Sequence, residues 1–362
     1  MQRRNESSYP VSLHEVFQVS PRLSLCIATL NRGRYIAETL DSIVCQLTPE
    51  VELVIVDGAS SDDTPTIVAG YTARYPNVKY FREETNSGVD GDYDKAVGYA
   101  AGAYCWLMTD DDIVCPGAIA HVLSLLTGAH DLVVVNSEIW NADLSIDLHT
   151  KMLPWVTDRV YGPGDSERLF TELSTCLSYI GSVVIRRSAW LERARTPYYG
   201  TAFIHVGVIF QHPPIERAVA SVRSCIVNRY GNGQWTPRSF EIWYFNWPRL
   251  IWGFQDFTES AKAAVVPAEP WRQFRRLLKS RAIGDYSNAQ FRKFLAARTT
   301  GWQFVQTWGV SVFPATVANF LWIVYYSTIQ RTALFTLFDL IRSRNASWPG
   351  RMVARALRIR VE

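Results

Sequence analysis

From Leu23 to Trp140, short apolar runs alternate with stretches whose apolar residues return every three or four positions. Leu23 to Thr29 (LSLCIAT) is such a run and stops at Asn31. From Tyr35 to Leu47 the residues Ile36, Leu40, Ile43, Val44 and Leu47 follow at helical spacing, so the reading is strand, loop, helix. Val51 to Val56 (VELVIV) predicts a second strand closed by Asp57-Gly58. Asp62 or Asp63 ahead of Thr64-Pro65 marks the start of a helix that runs to Tyr75. Val78 to Phe81 predicts a short strand, Asn86 to Gly91 a turn-rich loop and Asp92 to Ala101 a helix. Tyr104 to Met108 (YCWLM) predicts a strand that runs straight into Asp110, Asp111 and Asp112. Beyond it the pattern predicts a helix from Gly117 to Leu126, a strand from Asp131 to Trp140, a strand from Tyr179 to Ile185 and a short helix from Ala189 to Arg195.

Successive strand-helix steps imply an α/β, Rossmann-like domain: a mainly parallel sheet with helices on both faces. In such sheets the ligand sits beyond the C-terminal ends of the strands, where Asn31, Asp57 and Asp110 to Asp112 all fall. This places a catalytic domain over residues 21–238. From Phe240 onward aromatic residues crowd together, and residues 239–362 read as a helical, aromatic and basic region.

Composition adds limits rather than a function. The chain has 362 residues, 48% of them hydrophobic, which is enough for a large folded core. A formal net charge of +3 does not point to nucleic acid. The six cysteines form no C-x-x-C pair and sit mostly in apolar stretches, as in a reducing compartment. Met1 to Ser20 lacks the apolar run of a secretory signal, so the expected location is cytoplasmic. Between Arg298 and Arg331 no charged residue occurs, long enough to cross a bilayer of ~30 Å. Pro314 interrupts it, and Trp302, Trp308, Trp322, Tyr325 and Tyr326 lie toward its ends. The pattern suits interfacial anchoring on a membrane, or a helical pair packed on the catalytic domain. Arg331, Arg342, Arg344, Arg351, Arg355, Arg358 and Arg360 make the tail basic, as an anionic surface requires.

Three adjacent carboxylates ending an apolar strand suit Mg²⁺ or Mn²⁺, which take a few protein carboxylates together with phosphate oxygens. An acidic turn or helix cap explains a lone Asp triplet as well. The wider context separates the two. Ile27 to Arg32 (IATLNR), Val54 to Thr64 (VIVDGASSDDT), Asn86 to Gly88 with Asp92 to Gly98, and Leu107 to Pro116 (LMTDDDIVCP) occur in the order of the donor-binding motifs of family 2 glycosyltransferases, which have the GT-A fold. Leu23 to Leu126 resembles that donor domain. The resemblance implies a nucleotide diphosphate sugar donor, with Thr29, Asn31 and Asp57 on the nucleoside and Lys95 within reach of a phosphate. Asp110, Asp111 and Asp112 would hold the divalent metal. Ser60 and Asp62 read as helix caps rather than ligands.

Two departures matter. Counting back from Pro116 selects Thr109 and Asp111 for the metal turn, whereas D-x-D spacing selects Asp110 and Asp112. The E-D pair that usually supplies the general base is missing from the second half. Tyr199 to Phe210 (YGTAFIHVGVIF) instead carries His205, and the segment resembles the abequosyltransferase-like subset. His205 is thus a candidate catalytic base or a core histidine, with Asp143, Asp147, Asp158 and Asp165 as competitors. Gly181 and Ser182 are candidates beside the acceptor. Arg229, Asn232, Gln234 and Trp235 lie in a glycine-rich loop suited to fold over the donor. The combined expectation is a metal-dependent transferase of a hexose or deoxyhexose to a glycan or lipid-linked glycan, in O-antigen or related surface-polysaccharide assembly at the inner membrane. The rivals are a non-catalytic membrane scaffold and another nucleotide-sugar enzyme; the latter is disfavoured because no G-x-G-x-x-G follows the first strand.

Overall fold

The computed structural model describes residues 20–128, 130–329 and 334–356. Nearly all of the polar N-terminal stretch, and Arg331, Arg358 and Arg360 of the basic tail, lie outside those residues. The strands are β1 (Leu23–Thr29), β2 (Val51–Asp57), β3 (Val78–Arg82), β4 (Tyr104–Met108), β5 (Ile113–Val114), β6 (Leu132–Asn141), β7 (Asp147–Lys151), β8 (Arg159–Tyr161), β9 (Val183–Arg186) and β10 (Ala218–Tyr230). The helices of the sheet region are α1 (Gly33–Val44), α2 (Thr64–Thr72), α3 (Gly88–Tyr99), α4 (Ala118–Leu125), α5 (Ser166–Leu177), α6 (Arg187–Leu191) and α7 (Ile204–Phe210).

The strands form one sheet in the order β3-β2-β1-β4-β9-β6-β10-β5, with β7 and β8 attached to β6 and β10. The half with the predicted strand-helix steps is parallel. The other half is mixed, because β9 runs antiparallel between β4 and β6. Alternation along the strands explains the two covered faces. Cys26, Val54, Val56, Cys105 and Leu107 face one core with α3, α5 and α7. Leu25, Ile27, Leu53, Ile55, Trp106 and Met108 face the other with α1, α2 and α4.

Some boundaries shift for local reasons. α3 begins at Gly88, inside the expected loop, because Asn86 Oδ1 accepts the Gly88 amide at 2.7 Å and Ser87 Oγ donates to Asp92 at 2.5 Å. The strand expected from Tyr179 begins only at Val183; Ile180–Ser182 is a 3₁₀ turn whose Gly181 carbonyl accepts Trp106 Nε1 at 2.8 Å. The short helix expected over Ala189 to Arg195 runs earlier, over Arg187–Leu191.

Past residue 239 the described residues are mainly helical. Their first part joins the sheet's own core: Phe257 stacks on Phe170 with centroids 4.0 Å apart, and Trp247, Ile251 and Phe254 pack nearby. Later helices form two further clusters. Tyr230, the last residue of β10, packs on Phe335 at 4.3 Å and donates to Asp339 at 2.9 Å, so the helix Leu334–Arg342 is tied to the sheet's C-terminal edge.

Burial pushes the carboxyls of Asp339 and Asp285 up to about 6, with Lys279 opposing the shift. The folded chain therefore keeps protons that the unfolded chain has lost. The associated stability is full below the ordinary carboxyl value of 3.8 and declines as pH rises to about 6. Denaturant unfolding between about pH 4 and pH 7 is expected to show this decline, on the order of 2 kcal/mol per carboxyl, and Asp339→Asn is expected to remove its share.

Candidate functional site

Strand order brings the candidate residues together. β1 lies between β2 and β4, with Thr29 opposite Asp57 and Ile27 opposite Met108, so the residues following these strands share one edge. The C-terminal ends of β6 and β10 lie on the same edge, because β9 reverses direction between β4 and β6.

The three aspartates divide into two roles. Asp112 is bound to the scaffold: its carboxylate accepts from the Thr109 and Tyr179 hydroxyls, from the Arg229 amide at 2.6 Å and from Asn228 Nδ2 at 3.3 Å. Asp110 and Asp111 instead face Arg32, which is 7% exposed. Arg32 Nε donates to Asp110 at 3.0 Å and Nη2 to Asp111. Burial is the largest influence raising all three carboxyls. Asp111 is raised furthest, with Asp112 and Asp110 adding repulsion and Arg32 opposing it. The two carboxylates that share one cation are thus Asp110 and Asp111, which are adjacent in the sequence. Their oxygens fit a hard divalent ion. No group of three metal-ligating side chains occurs among the described residues, so donor oxygens and water would complete the shell.

At the ends of β1 and β2, where the resemblance leads one to expect the nucleoside, Asn31 adopts a left-handed backbone (φ 53°) and its Oδ1 accepts from the Ser61 amide at 2.7 Å. Asp57 is fully buried, with Oδ1 accepting the Ser60 amide at 2.8 Å and Oδ2 the Tyr80 hydroxyl at 2.6 Å. Thr29 lies beside Asp110. Ser60 Oγ accepts the Asn31 amide, and Asp62 accepts the amides of Gly33 and Thr64 at the starts of α1 and α2. The glycine-rich loop closes over this edge: Gln234 Nε2 donates to the Leu30 carbonyl at 2.7 Å and Arg32 Nη1 to the Asn232 carbonyl at 3.2 Å. Trp235 is half-exposed at its end, edge-on to Trp243. Arg229 sends its guanidinium to Glu38 and over the Tyr35 ring.

Several nominated residues lie elsewhere. His205 is 1% exposed in the core, with Nε2 on the Leu177 carbonyl at 2.7 Å. Burial holds its imidazole down at about 4. Desolvation favours the neutral ring, and the buried position matches the core-histidine alternative rather than an open site for an acceptor. Lys95 pairs with Glu83 at 2.5 Å rather than with the acidic turn. Gly181 and Ser182 are buried behind Tyr179: a side chain at Gly181 would strike its ring, and Ser182 Oγ donates to the Cys176 carbonyl at 3.4 Å. Asp158 and Asp165 accept backbone amides in the scaffold, whereas Asp143 lies on the exposed turn after β6. A cleft of about 910 Å³ lined by Asp131, Arg186 and Arg217 occupies the opposite edge of the sheet. Tyr179, Tyr35 and the bridging by Arg32 were not nominated from the sequence; only Arg32 had a signal, its place beside Asn31.

Asp112→Ala is expected to destabilise the chain by roughly 2–4 kcal/mol, because it strands buried donors, including the Arg229 amide. Asp111→Asn is expected to leave stability without ligand unchanged or higher, because it removes a repelled carboxylate. Urea midpoints at neutral pH compare the two.

The family model "Glycosyl transferase family 2" matches residues 24–194. Abequosyltransferase RfbV of Salmonella typhimurium is 27% identical over 199 residues, which span 52% of this chain and 60% of that protein. A GalNAc(5)-diNAcBac-PP-undecaprenol beta-1,3-glucosyltransferase of Campylobacter jejuni is 28% identical over 28% of this chain and 34% of its own length. The crystal structure of S. aureus TarS 1-349 in complex with UDP aligns over 93% of this chain and 91% of that one, with a TM-score of 0.50 and 17% identity, a likeness of fold. Residues 24–194, a little under half of the chain, thus match glycosyl transferase family 2, and the fold of the chain is GT-A.

Proposed function

We propose that this chain transfers a hexose or deoxyhexose from a nucleoside diphosphate sugar to a lipid-linked glycan, in assembly of an O-antigen or related surface polysaccharide. The observation that carries the reading is the pair Asp110 and Asp111, presented with Arg32 under the 231–235 loop at the edge where Asn31 and Asp57 converge. The abequosyltransferase of Salmonella and the undecaprenol-linked glucosyltransferase of Campylobacter support the substrate class.

In this reading Asn31 and Asp57 shape the nucleoside end, and the loop from Gly231 to Trp235 covers the donor. Asp110 and Asp111 would hold a divalent ion, which supplies positive charge to the departing diphosphate. Asp112 keeps the turn in place. With His205 in the core, the acceptor hydroxyl needs a carboxylate at the strand edge, and Asp143 stands on the turn after β6. The missing E-D pair and the buried His205 also favour a second reading, a scaffold that keeps the fold without the chemistry.

A membrane surface fits the helical region. From residue 239 onward the chain has seventeen Lys and Arg against seven Asp and Glu, whereas the preceding part has twenty against twenty-seven. The helices Gly301–Val312 and Ala315–Thr328 meet at 90°, and among the described residues no single helix is long and apolar enough to cross a membrane. Trp302 (76% exposed), Trp308, Leu321 and Trp348 (72% exposed) present apolar side chains to the surface, and Arg298, Arg351 and Arg355 follow or precede them closely in the sequence. Such exposed aromatic residues with nearby arginines suit monotopic seating on the anionic cytoplasmic leaflet.

Calorimetric titration with UDP, GDP, CDP and dTDP, with and without Mn²⁺, is expected to show metal-dependent binding of one nucleotide, lost in an Asp110→Asn, Asp111→Asn double variant. Donor hydrolysis by the unaltered chain separates the transferase from the scaffold; binding of no nucleotide sinks the donor reading. Flotation with anionic vesicles is expected to carry the protein upward, and a Trp302→Ala, Trp308→Ala, Trp348→Ala variant is expected to stay behind. Equal flotation of the two removes these residues from the membrane assignment.

A further inference from the structure

Asp110 and Asp111 are buried side by side, and the cation that reaches both is a guanidinium belonging to the chain itself. Arg32 donates Nε to one, Nη2 to the other and Nη1 to the Asn232 carbonyl, with its charge 4.8 Å from the centre of the Tyr35 ring. Its backbone amide is held separately by Thr64 Oγ1 at 2.8 Å. The side chain can therefore leave the carboxylates without undoing the start of α1.

A divalent ion competes for the same oxygens, and its charge would fall beside Arg32, where like charges repel. Displaced from two carboxylates in a buried setting, a guanidinium requires another anion. Diphosphate oxygens provide one with matching bidentate geometry. We infer that Arg32 is an exchangeable counter-ion and a donor-binding residue: it neutralises Asp110 and Asp111 until metal takes them, and it then binds the donor's diphosphate. This rests on the nucleotide-sugar reading above. It adds that metal and diphosphate bind cooperatively through one side chain, each strengthening the other by the same factor. Because Nη1 also holds the Asn232 carbonyl, the exchange removes that one contact to the 231–235 loop and leaves Gln234 on the Leu30 carbonyl.

The test is Mn²⁺ binding, followed by calorimetry and by the electron paramagnetic resonance of free Mn²⁺, with and without the nucleoside diphosphate that the chain binds. In the unaltered protein the diphosphate is expected to tighten Mn²⁺ by at least about tenfold. In Arg32→Ala, Mn²⁺ alone is expected to bind about tenfold more tightly, with the tightening by diphosphate largely gone. Arg32→Lys keeps a charge but cannot bridge both carboxylates, and is expected to fall between the two. Circular dichroism confirms folding, and Arg32→Gln replaces the alanine variant should that variant unfold. Unchanged or weaker Mn²⁺ binding in the folded Arg32 variants, or full retention of the coupling, overturns the exchange while leaving the donor reading intact. Failure of the unaltered chain to bind any nucleoside diphosphate overturns both.

Discussion

Three successive carboxylates at the buried end of β4 repel one another and lose hydration together, and the surrounding structure is arranged around relieving that cost. Asp112 is relieved by donors alone, among them a backbone amide of β10 and a hydroxyl from the segment before β9. Asp110 and Asp111 are relieved by a charge, that of Arg32. The division separates strength from exchangeability. Neutral donors fixed in the scaffold have no reason to leave, whereas a side-chain cation can be replaced by a stronger one.

The same division organises the fold. β1, β2 and β4 deliver Asn31, Asp57 and the acidic turn to one edge through strand register. The mixed half of the sheet then brings β10 back to that edge, so that Arg229 reaches Asp112 and the glycine-rich loop reaches Leu30. The helices after residue 239 share a core with α5 and α7 before they spread into clusters of their own, so the basic, aromatic region is seated on the sheet by packing.

Much of the donor half was legible because its signals are local. β1 and β4 were read to the residue, since each apolar run is bounded sharply by polar residues. The roles within the acidic turn were not legible, because they depend on partners far along the chain. Tyr179 is 67 positions from Asp112 and Arg229 is 117. The His205 segment is ambiguous for the opposite reason: its apolar neighbours are equally compatible with a pocket lining and with a core helix, and only tertiary packing distinguishes them. Likewise the 3₁₀ turn at Ile180–Ser182 looks like strand by composition, and it is the carbonyl bonded to Trp106 that accompanies the bend.

Arg229 and Tyr230 are neighbours on β10, yet one is fastened by its amide to the acidic turn and the other by its ring and hydroxyl to a C-terminal helix. The strand end is thereby gripped by two different parts of the molecule. The next residue, Gly231, has φ 100°, a conformation that side chains rarely adopt. The glycine-rich loop therefore departs from a root fastened on two sides, in a direction that the left-handed turn at Gly231 sets, and the C-terminal helix that grips Tyr230 shares in fixing that point of departure.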